Sequence, residues 1–242
     1  MTNSNKQRRS AAANDPRILR GMEAQLKLRQ ARLSAGEKPL GWKVGFGAPA
    51  IMEQLGIDAP LIGFLTDKSR LSAETTVSVA GWAKPVLEPE IAVYMGQDLG
   101  QGADDEAIQS AIAAIGPVIE LADVTFPPDD VEAILAHNIY HRHIILGRRD
   151  ETRAGGMLDG LAAHVYRDGT EIATTTDPQA LTGNLIETVQ HVADLLTVFG
   201  ESLRADEIII AGSIVPPVWL AGQAEYRYTL DPVDTISINL AA

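Results

Sequence analysis

Two glutamates within an apolar stretch of the sequence pose the first chemical question. Glu88 and Glu90 belong to the segment VLEPEIAVYMG (86–96), whose other residues are typical of a buried strand. Residues two apart on a strand point to the same face, so the two carboxylates would lie side by side. Burial and mutual repulsion both oppose ionisation of such a pair. The pair therefore requires solvent, a basic partner or a cation.

A third acidic residue, Glu120, lies in another apolar segment, VIELAD (118–123). Three carboxylates offer the hard oxygen ligands that Mg²⁺, Mn²⁺ or Ca²⁺ prefer, and a divalent cation would favour the ionised form of all three. The spacing leaves a second interpretation open. In that interpretation, Glu88 and Glu90 lie at a solvated sheet edge, and Glu120 pairs with an arginine.

Lys43 is a candidate for moving protons. It lies between Gly41 and Gly45 in the strand-like segment LGWKVGF (40–46), and these small neighbours allow a ligand or another backbone to approach the amine closely. In a partly buried site beside a metal, such an amine could transfer protons. The alternative is an ordinary solvent-facing strand lysine.

Three histidines cluster in the segment AHNIYHRH (136–143). His137 and His141 are four residues apart, so a continuing helix would place both on one face as ligands for Zn²⁺ or Ni²⁺. The segment offers no adjacent glutamate or clear third ligand. The alternative assigns His137, His141 and His143 to hydrogen bonds at a helix end or an interface, which leaves a zinc hydrolase as a minor hypothesis.

The composition excludes several classes of protein. The chain has no cysteine, which rules out disulfides and thiolate ligands, and its 20 basic and 32 acidic residues give a net charge of −12, which argues against nucleic-acid binding. No apolar run is long enough to span a membrane. Residues 1–14 are rich in basic side chains and lack the apolar core of a secretory signal, so we expect a disordered tail on a cytoplasmic protein.

Helix and strand signals alternate early in the chain, and strand signals dominate its end. Helices are predicted from Asp15-Pro16, around 51–55, from Asp104 with Ile112 and Ile115 on the helix, from Asp130 through His137, and over 185–199. Strands are predicted over 40–46, 75–79, 86–95 and 117–123, in a hairpin around Asp168-Gly169, and in the last 35 residues or so. Because the sequence lacks a GxGxxG or P-loop motif, we expect an α+β protein with a curled, mostly antiparallel sheet. The prediction is one catalytic domain over 15–242, with a helical and strand portion (15–85) and a metal-binding core (86–242).

Three segments, taken in order, resemble a known enzyme group. GWKVG (41–45), LEPEIAVYMGQDL (87–99) and IGPVIELAD (115–123) are similar to the 2-keto-4-pentenoate hydratase and 4-oxalocrotonate decarboxylase family, a branch of the fumarylacetoacetate hydrolase superfamily. The resemblance implies a mixed, mostly antiparallel sheet rolled into a distorted barrel with flanking helices. It also implies a Mg²⁺ or Mn²⁺ ion and homo-oligomers.

The resemblance also assigns roles to individual residues. The metal-binding carboxylates of the family match Glu88, Glu90 and Glu120, and its active-site lysine matches Lys43. The resemblance further implies contacts with the substrate from Asn138, Tyr140, Gly212 and Ser213. Three positions depart from the family pattern: only Asn138 remains of an acidic-Asn-small-Ser segment, Ala211 replaces a loop threonine, and Gln223-Ala224 replaces Gly-Asp. These departures concern the substrate more than the metal.

The activity that the resemblance implies is hydration of a 2-hydroxy-2,4-dienoate to a 4-hydroxy-2-oxo acid through a metal-chelated enolate, within aromatic hydrocarbon catabolism. A 4-oxalocrotonate-type decarboxylase and a C–C bond hydrolase of a 2-oxo acid share the metal and the enolate, so both stay open. A further alternative is a non-catalytic homologue or partner subunit. The resemblance also allows a complex with another enzyme of the pathway.

Overall fold

A computed structural model describes residues 14–241, which form helices and strands in alternation. The helices are α1 (Pro16–Ser34), α2 (Pro49–Leu55), α3 (Asp105–Ala111), α4 (Val131–Ala136) and α5 (Leu185–Val198). The strands are β1 (Pro39–Gly45), β2 (Leu61–Thr66), β3 (Arg70–Leu71), β4 (Thr76–Ser78), β5 (Pro85–Met95), β6 (Ile112–Asp123), β7 (His141–Leu146), β8 (Ala162–Arg167), β9 (Thr170–Thr175), β10 (Ile208–Ser213), β11 (Val218–Trp219), β12 (Ala224–Asp231) and β13 (Asp234–Ala241).

The strands form two sheets that contact each other. The larger sheet has the order β2-β1-β10-β5-β6-β7-β3, with β11 added to one end of β5, and the smaller sheet has the order β4-β13-β12-β8-β9. Neighbouring strands are antiparallel except in the pairs β1/β10, β3/β7 and β4/β13. Strand β6 of the larger sheet contacts β12 and β13 of the smaller one. The predicted α+β class with a mixed, mostly antiparallel, curled sheet is confirmed.

The larger sheet is strongly curled. Strands β1 and β6 are separated by β10 and β5, so a flat sheet would hold them about 14 Å apart at roughly 4.8 Å per strand. Nevertheless Lys43 on β1 donates a hydrogen bond to Glu120 on β6. The curl therefore brings side chains of non-adjacent strands together on its concave face.

The core lies on the opposite face of β5 and beneath the helices. Leu87, Ile91 and Val93 of β5 pack in a large apolar cluster that also includes Val189 and Val192 of α5. A second cluster joins α1, α2 and α4. Because apolar residues fill one face of β5, its acidic residues at alternating positions are left on the other face.

Several helix predictions are confirmed by their ends. The Asp15 side chain accepts a hydrogen bond from the Arg17 N–H at 2.8 Å and caps α1, with Pro16 as its first residue. Helix α2 ends at Gly56 in the left-handed conformation, and α5 begins after Asn184. The hairpin is confirmed as well, because Asp168 and Gly169 have the φ values of 50° and 79° that a type I′ turn requires.

One helix prediction is wrong at its C-terminal end. Helix α3 stops at Ala111, and Ile112 and Ile115 belong to β6, where they pair with Met95 and Val93 of β5. Strand pairing in the core thus overrides the helical spacing of these isoleucines. The helix predicted from Asp130 through His137 is confirmed to within one residue, since α4 ends at Ala136 with His137 as its C-cap. It does not continue to His141, which begins β7.

Two expectations concern regions or properties outside this architecture. The predicted basic tail falls almost wholly on residues 1–13, which lie outside the described residues. Within residues 14–241, none of the helices combines the length and the apolar character that crossing a membrane demands.

Candidate metal centre and active site

Three glutamates converge on the concave face of the larger sheet. Glu88 of β5 lies directly opposite Glu120 of β6, and Glu90 follows two positions along the same face of β5. One carboxylate oxygen from each of the three lies within 4.8 Å of the others. Glu90 and Glu120 are buried, and Glu88 is half-buried at the edge of a cavity. The structure therefore brings the predicted triad together, and the solvated-edge interpretation is wrong.

The electrostatics of the triad leave two carboxyls short of compensating charge. Burial, together with the charge of Glu120, raises the pKa of Glu88 to about 7, although Lys43 partly opposes the shift. Burial and the charges of both other glutamates raise the pKa of Glu90 well above its ordinary value, despite a hydrogen bond from the Gly212 N–H at 2.8 Å. Burial also opposes ionisation of Glu120, but the charge of Lys43 and the hydrogen bond from His141 hold the pKa of Glu120 below its ordinary value.

Lys43 is buried, with only 1% of its surface exposed. Its Nζ donates to Oε1 of Glu120 and, at 3.3 Å, to the backbone oxygen of Ile139. The solvent-facing alternative for Lys43 is therefore wrong, and so is the alternative in which Glu120 pairs with an arginine. The backbone of Ile208 also packs closely on Gly41, where a Cβ would lie 2.0 Å from the Ile208 backbone oxygen.

His141 also belongs to this cluster, which the sequence did not reveal. Its Nδ1 lies 2.7 Å from the Glu120 oxygen that Lys43 contacts, and its side chain is buried. Burial lowers the pKa of His141 more than Glu120 raises it, so the ring is neutral near pH 7 and donates its Nδ1–H to Glu120. The pairing of β6 with β7 brings the two residues together, and no local sequence signal reports that pairing.

The donor set fits a hard divalent cation. Oε2 of Glu120 is buried and, among the described residues, has no hydrogen-bond partner. This free oxygen lies in a cluster with two carboxyls whose pKa values are raised for want of positive charge. All the candidate ligands are carboxylate oxygens, which Mg²⁺ and Mn²⁺ prefer.

The histidines do not form a zinc site of their own. His137 is exposed, with its Nδ1 2.9 Å from the backbone oxygen of Ala133, and His143 stacks on Trp82. Over residues 14–241, the glutamate triad is the only group of three or more potential ligands found close enough to share an ion. His137 and His141 do not share a helix face, because α4 ends at Ala136 and His141 begins β7.

A left-handed turn positions the carbonyl group that Lys43 contacts. The consecutive residues Asn138, Ile139 and Tyr140 have φ values of 53°, 52° and 59°, a conformation that costs about 1–2 kcal/mol per residue for side chains with a Cβ. The Asn138 amide offsets this cost by bonding both backbone groups of Phe64, at 2.8 Å and 2.9 Å. Asn138 is absent from the described lining of the neighbouring cavity, and its amide holds the turn in place, so its contact with substrate stays a prediction.

A cavity of about 340 Å³ opens onto the glutamates. Its lining includes the predicted residues Lys43, Glu88, Glu90, Tyr140, Gly212 and Ser213. Gly212 has a φ of 96°, in the region that favours glycine, and this conformation directs its N–H toward Glu90. Ser213 is half-buried, and its hydroxyl donates to the Val215 backbone oxygen at 2.7 Å.

Comparison with characterised proteins gives consistent relatives. A 2-hydroxyhexa-2,4-dienoate hydratase of Comamonas testosteroni is 28% identical over 219 residues, which cover 88% of this chain and 81% of the relative. A 4-oxalocrotonate decarboxylase of Pseudomonas putida is 27% identical over 200 residues, which cover 81% of this chain and 75% of the relative. The resemblance to the hydratase and decarboxylase group is confirmed. No protein-family model matches the chain.

Solved structures support the same fold. The 4-oxalocrotonate decarboxylase of Pseudomonas putida G7, solved with magnesium and adipate, superimposes with a TM-score of 0.83 at 24% identity, over 91% of this chain and 84% of that one. At this identity the likeness establishes the fold and not the activity. The chain has the fumarylacetoacetate hydrolase-like fold that the sequence predicted.

Proposed function

We propose that the chain is a metal-dependent hydratase that adds water to a 2-hydroxy-2,4-dienoate and forms a 4-hydroxy-2-oxo acid. The observation that carries the proposal is the convergence of three glutamates beside a buried lysine, at a cavity that Lys43, Glu88 and Glu90 help to line. Relatives named as hydratases support hydration as the reaction. Burying four ionisable groups is costly, which argues against a non-catalytic homologue.

Glu88, Glu90 and Glu120 would hold the cation, with Mg²⁺ or Mn²⁺ as the best match to their oxygens. When bound, the cation supplies positive charge that stabilises negative charge on the carboxylate and 2-oxygen of the substrate. Glu120 also accepts hydrogen bonds from Lys43 and His141 through its other oxygen. These two contacts fix its orientation and leave Oε2 available to a cation.

Lys43 is the residue that moves protons in this proposal. In the first stage the 2-hydroxyl loses its proton and C5 gains one, which gives a 2-oxo-3-enoate. In the second stage water adds its hydroxyl to C4, and C3 gains the remaining proton, so that the sum is one water added. Lys43 Nζ donates to Glu120 and, at 3.3 Å, to the Ile139 carbonyl, and since Lys43 lines the cavity its third N–H would serve the substrate.

The glycine loop at the end of β10 would receive the substrate carboxylate. Gly212 and Ser213 line the cavity next to Glu90, since Ser213 is paired with Glu90 in the sheet. The Gly212 N–H is already bonded to Glu90, so it holds the ligand rather than the substrate. We assign the contact with the carboxylate to Ser213, whose hydroxyl would exchange its hydrogen bond to the Val215 backbone oxygen for one to the substrate.

Two other reactions use the same arrangement. A decarboxylase of the 4-oxalocrotonate type is the first alternative, because one relative carries that name. A C–C bond hydrolase of a 2-oxo acid is the second. Location in the cytoplasm, homo-oligomers, a complex with a pathway enzyme and one catalytic domain over 15–242 all stay predictions from the sequence.

The direct test is an activity assay with Mg²⁺-loaded protein. Loss of the dienol absorbance of 2-hydroxypenta-2,4-dienoate, with 4-hydroxy-2-oxopentanoate identified by NMR, would support the proposal, and EDTA should abolish the signal. Release of CO₂ from 4-oxalocrotonate without any hydration would establish the decarboxylase instead. Absence of turnover with every 2-oxo or 2-hydroxydienoic acid would contradict the enzyme hypothesis.

A further inference from the structure

The cavity has two chemically different parts. Its polar floor consists of Lys43, Glu88 and Glu90, which belong to the site described above. The rest of the lining is mainly apolar and includes Phe46, Ile51, Val124, Tyr140, Leu181 and Trp219, which we call the apolar wall. The proposed chemistry uses the floor and leaves the wall without a role.

The wall offers no partner for a second negative charge. Among the described residues that line the cavity, Lys43 alone carries a positive charge, and it is paired with Glu120. The other charged residues of the lining are Glu88 and Glu90, which would repel an anion. A carboxylate at the far end of a substrate would therefore lose its hydration without compensation.

The polar atoms near the wall are already committed. The Tyr140 hydroxyl donates to the Phe126 backbone oxygen at 3.2 Å, so its ring forms part of the apolar surface. The Thr182 hydroxyl donates to the Pro178 backbone oxygen at 3.2 Å. The wall therefore recognises shape and apolar surface rather than a polar group.

The size of the cavity exceeds the needs of a five-carbon acid. Cavities of about 300–1,000 Å³ accommodate drug-sized ligands, and this one measures about 340 Å³. A dienoate with no substituent would fill the floor and leave the wall in contact with water. The unfilled part has room for a ring or a short alkyl chain.

Two large apolar side chains at the opening are unusually exposed. Trp219 exposes 59% of its surface and Ile51 exposes 38%. Trp219 lies on β11, where it pairs with Val86 of β5, so its backbone is fixed while its indole borders the cavity. Covering an indole in this position with an aromatic or aliphatic group buries apolar surface, which is favourable.

We propose that the substrate carries an uncharged apolar substituent larger than methyl at its distal carbon, and that Trp219, Leu181 and Ile51 contact this substituent. The inference rests on the proposed function, since it names the tail of the same substrate. It also separates the two leading reactions. A dicarboxylic acid such as 4-oxalocrotonate places a charge against the apolar wall, so hydration of a monocarboxylic dienoate is favoured over decarboxylation.

The test compares three dienoates with Mg²⁺-loaded protein. The substrates are 2-hydroxypenta-2,4-dienoate, its 5-phenyl derivative, and 2-hydroxymuconate, which has a second carboxylate. We expect kcat/KM to be highest for the phenyl compound and lowest for the dicarboxylate, with a difference between these two of about tenfold or more from apolar burial alone. Equal values, or a decline from the unsubstituted to the phenyl compound, would overturn the inference.

Variants locate the effect at the wall. Trp219→Ala should raise KM for the phenyl compound about tenfold, as burial of a large side chain against the tail predicts, and leave the unsubstituted dienoate nearly unchanged. Ile172→Ala is the matched control, because Ile172 on β9 exposes 43% of its surface and does not line the cavity. Leu181→Arg should improve turnover of 2-hydroxymuconate. An equal loss on all three substrates in Trp219→Ala, with a change of molecular mass in light scattering, would assign Trp219 to a subunit interface and overturn the inference.

The outcomes for the two proposals are distinguishable. If none of the three dienoates is hydrated, the proposed function fails. If the unsubstituted dienoate is hydrated and the phenyl compound is not, the function stands and only the inference about the tail fails.

Discussion

The polar floor and the apolar wall of the cavity are built in different ways. The floor residues stand on central strands of the larger sheet, and their ligand atoms are set by strand register and by mutual contacts. The wall residues come mainly from segments between the long strands, and several are partly exposed. Loops change more readily than paired strands do. The sheet therefore determines which chemistry is available, and the segments around it determine which tail fits.

The largest effect should follow from neutralising two floor carboxylates. We expect Glu88→Gln/Glu90→Gln to lower kcat/KM about a thousandfold, since a catalytic metal contributes several kcal/mol to the transition state. The measurement is the hydration rate at saturating Mg²⁺. Glu106→Gln/Glu225→Gln, which makes the same charge change at two exposed positions, is the control and should retain full activity. A fully active floor variant would exclude these carboxylates from the mechanism.

Removing the floor amine should have the next largest effect. Lys43→Met should lower kcat by about 10²–10⁴, the usual contribution of a general acid or base, while Mg²⁺ binding measured by calorimetry persists. Lys68→Met removes an exposed lysine and should have no effect. Loss of Mg²⁺ binding together with loss of activity in Lys43→Met would show that the lysine supports the ligands rather than the proton transfer.

A smaller effect is expected from crowding the lysine without removing it. In Gly63→Ala the new Cβ would lie 2.8 Å from Cγ of Lys43 and 2.9 Å from Oδ1 of Asn138. The displaced ammonium should reduce kcat about tenfold, with KM changed less. The reason is that moving a catalytic group slows the chemical step more than it weakens substrate binding. Gly100→Ala is the matched control, since a Cβ there meets no atom within 4 Å. Equal kinetics in the two variants would show that the position of the Lys43 ammonium does not limit the rate.

The smallest effect concerns the stability of the metal-free protein. Because the folded chain raises the pKa values of Glu88 and Glu90, the unfolded chain loses these two protons first as the pH rises above about 4.5. The free energy of unfolding therefore decreases as the pH rises toward about 7, the folded pKa of Glu88, and stays lower above it. In EDTA, Tm should therefore fall by a few °C between pH 5 and pH 8, relative to Glu88→Gln/Glu90→Gln. Added Mg²⁺ should raise Tm more at pH 8 than at pH 5. A Tm difference between the two proteins that is independent of pH would contradict the raised pKa values.

The floor was largely predictable from the sequence, and for a physical reason. Strand alternation places Glu88 and Glu90 on one face, and an apolar context marks Glu120 as an acid that needs a partner. The choice of the partner was not predictable, because Lys43 reaches Glu120 only through the curl of a sheet with two strands between them. The role of Gly63 was missed for the same reason.

The wall and the turn behind the floor were less accessible to sequence reasoning. The segment from His137 to His141 has helical spacing, but the Asn138 side chain bonds the backbone of Phe64 and stabilises a left-handed turn instead. Similarly, nothing local marks Leu181 or Trp219 as neighbours of Glu88, since they lie far away in the chain. Long-range packing decides these contacts, and periodicity reports only local preference.

The most direct test of the proposed metal site is a crystal structure of the protein soaked with Mn²⁺, with an anomalous difference map calculated for manganese. We expect one strong peak per chain in contact with carboxylate oxygens of Glu88, Glu90 and Glu120, with Lys43 still bonded to the other oxygen of Glu120. A map without a peak between these three residues, at an Mn²⁺ concentration that supports turnover, would contradict a metal site at the glutamates.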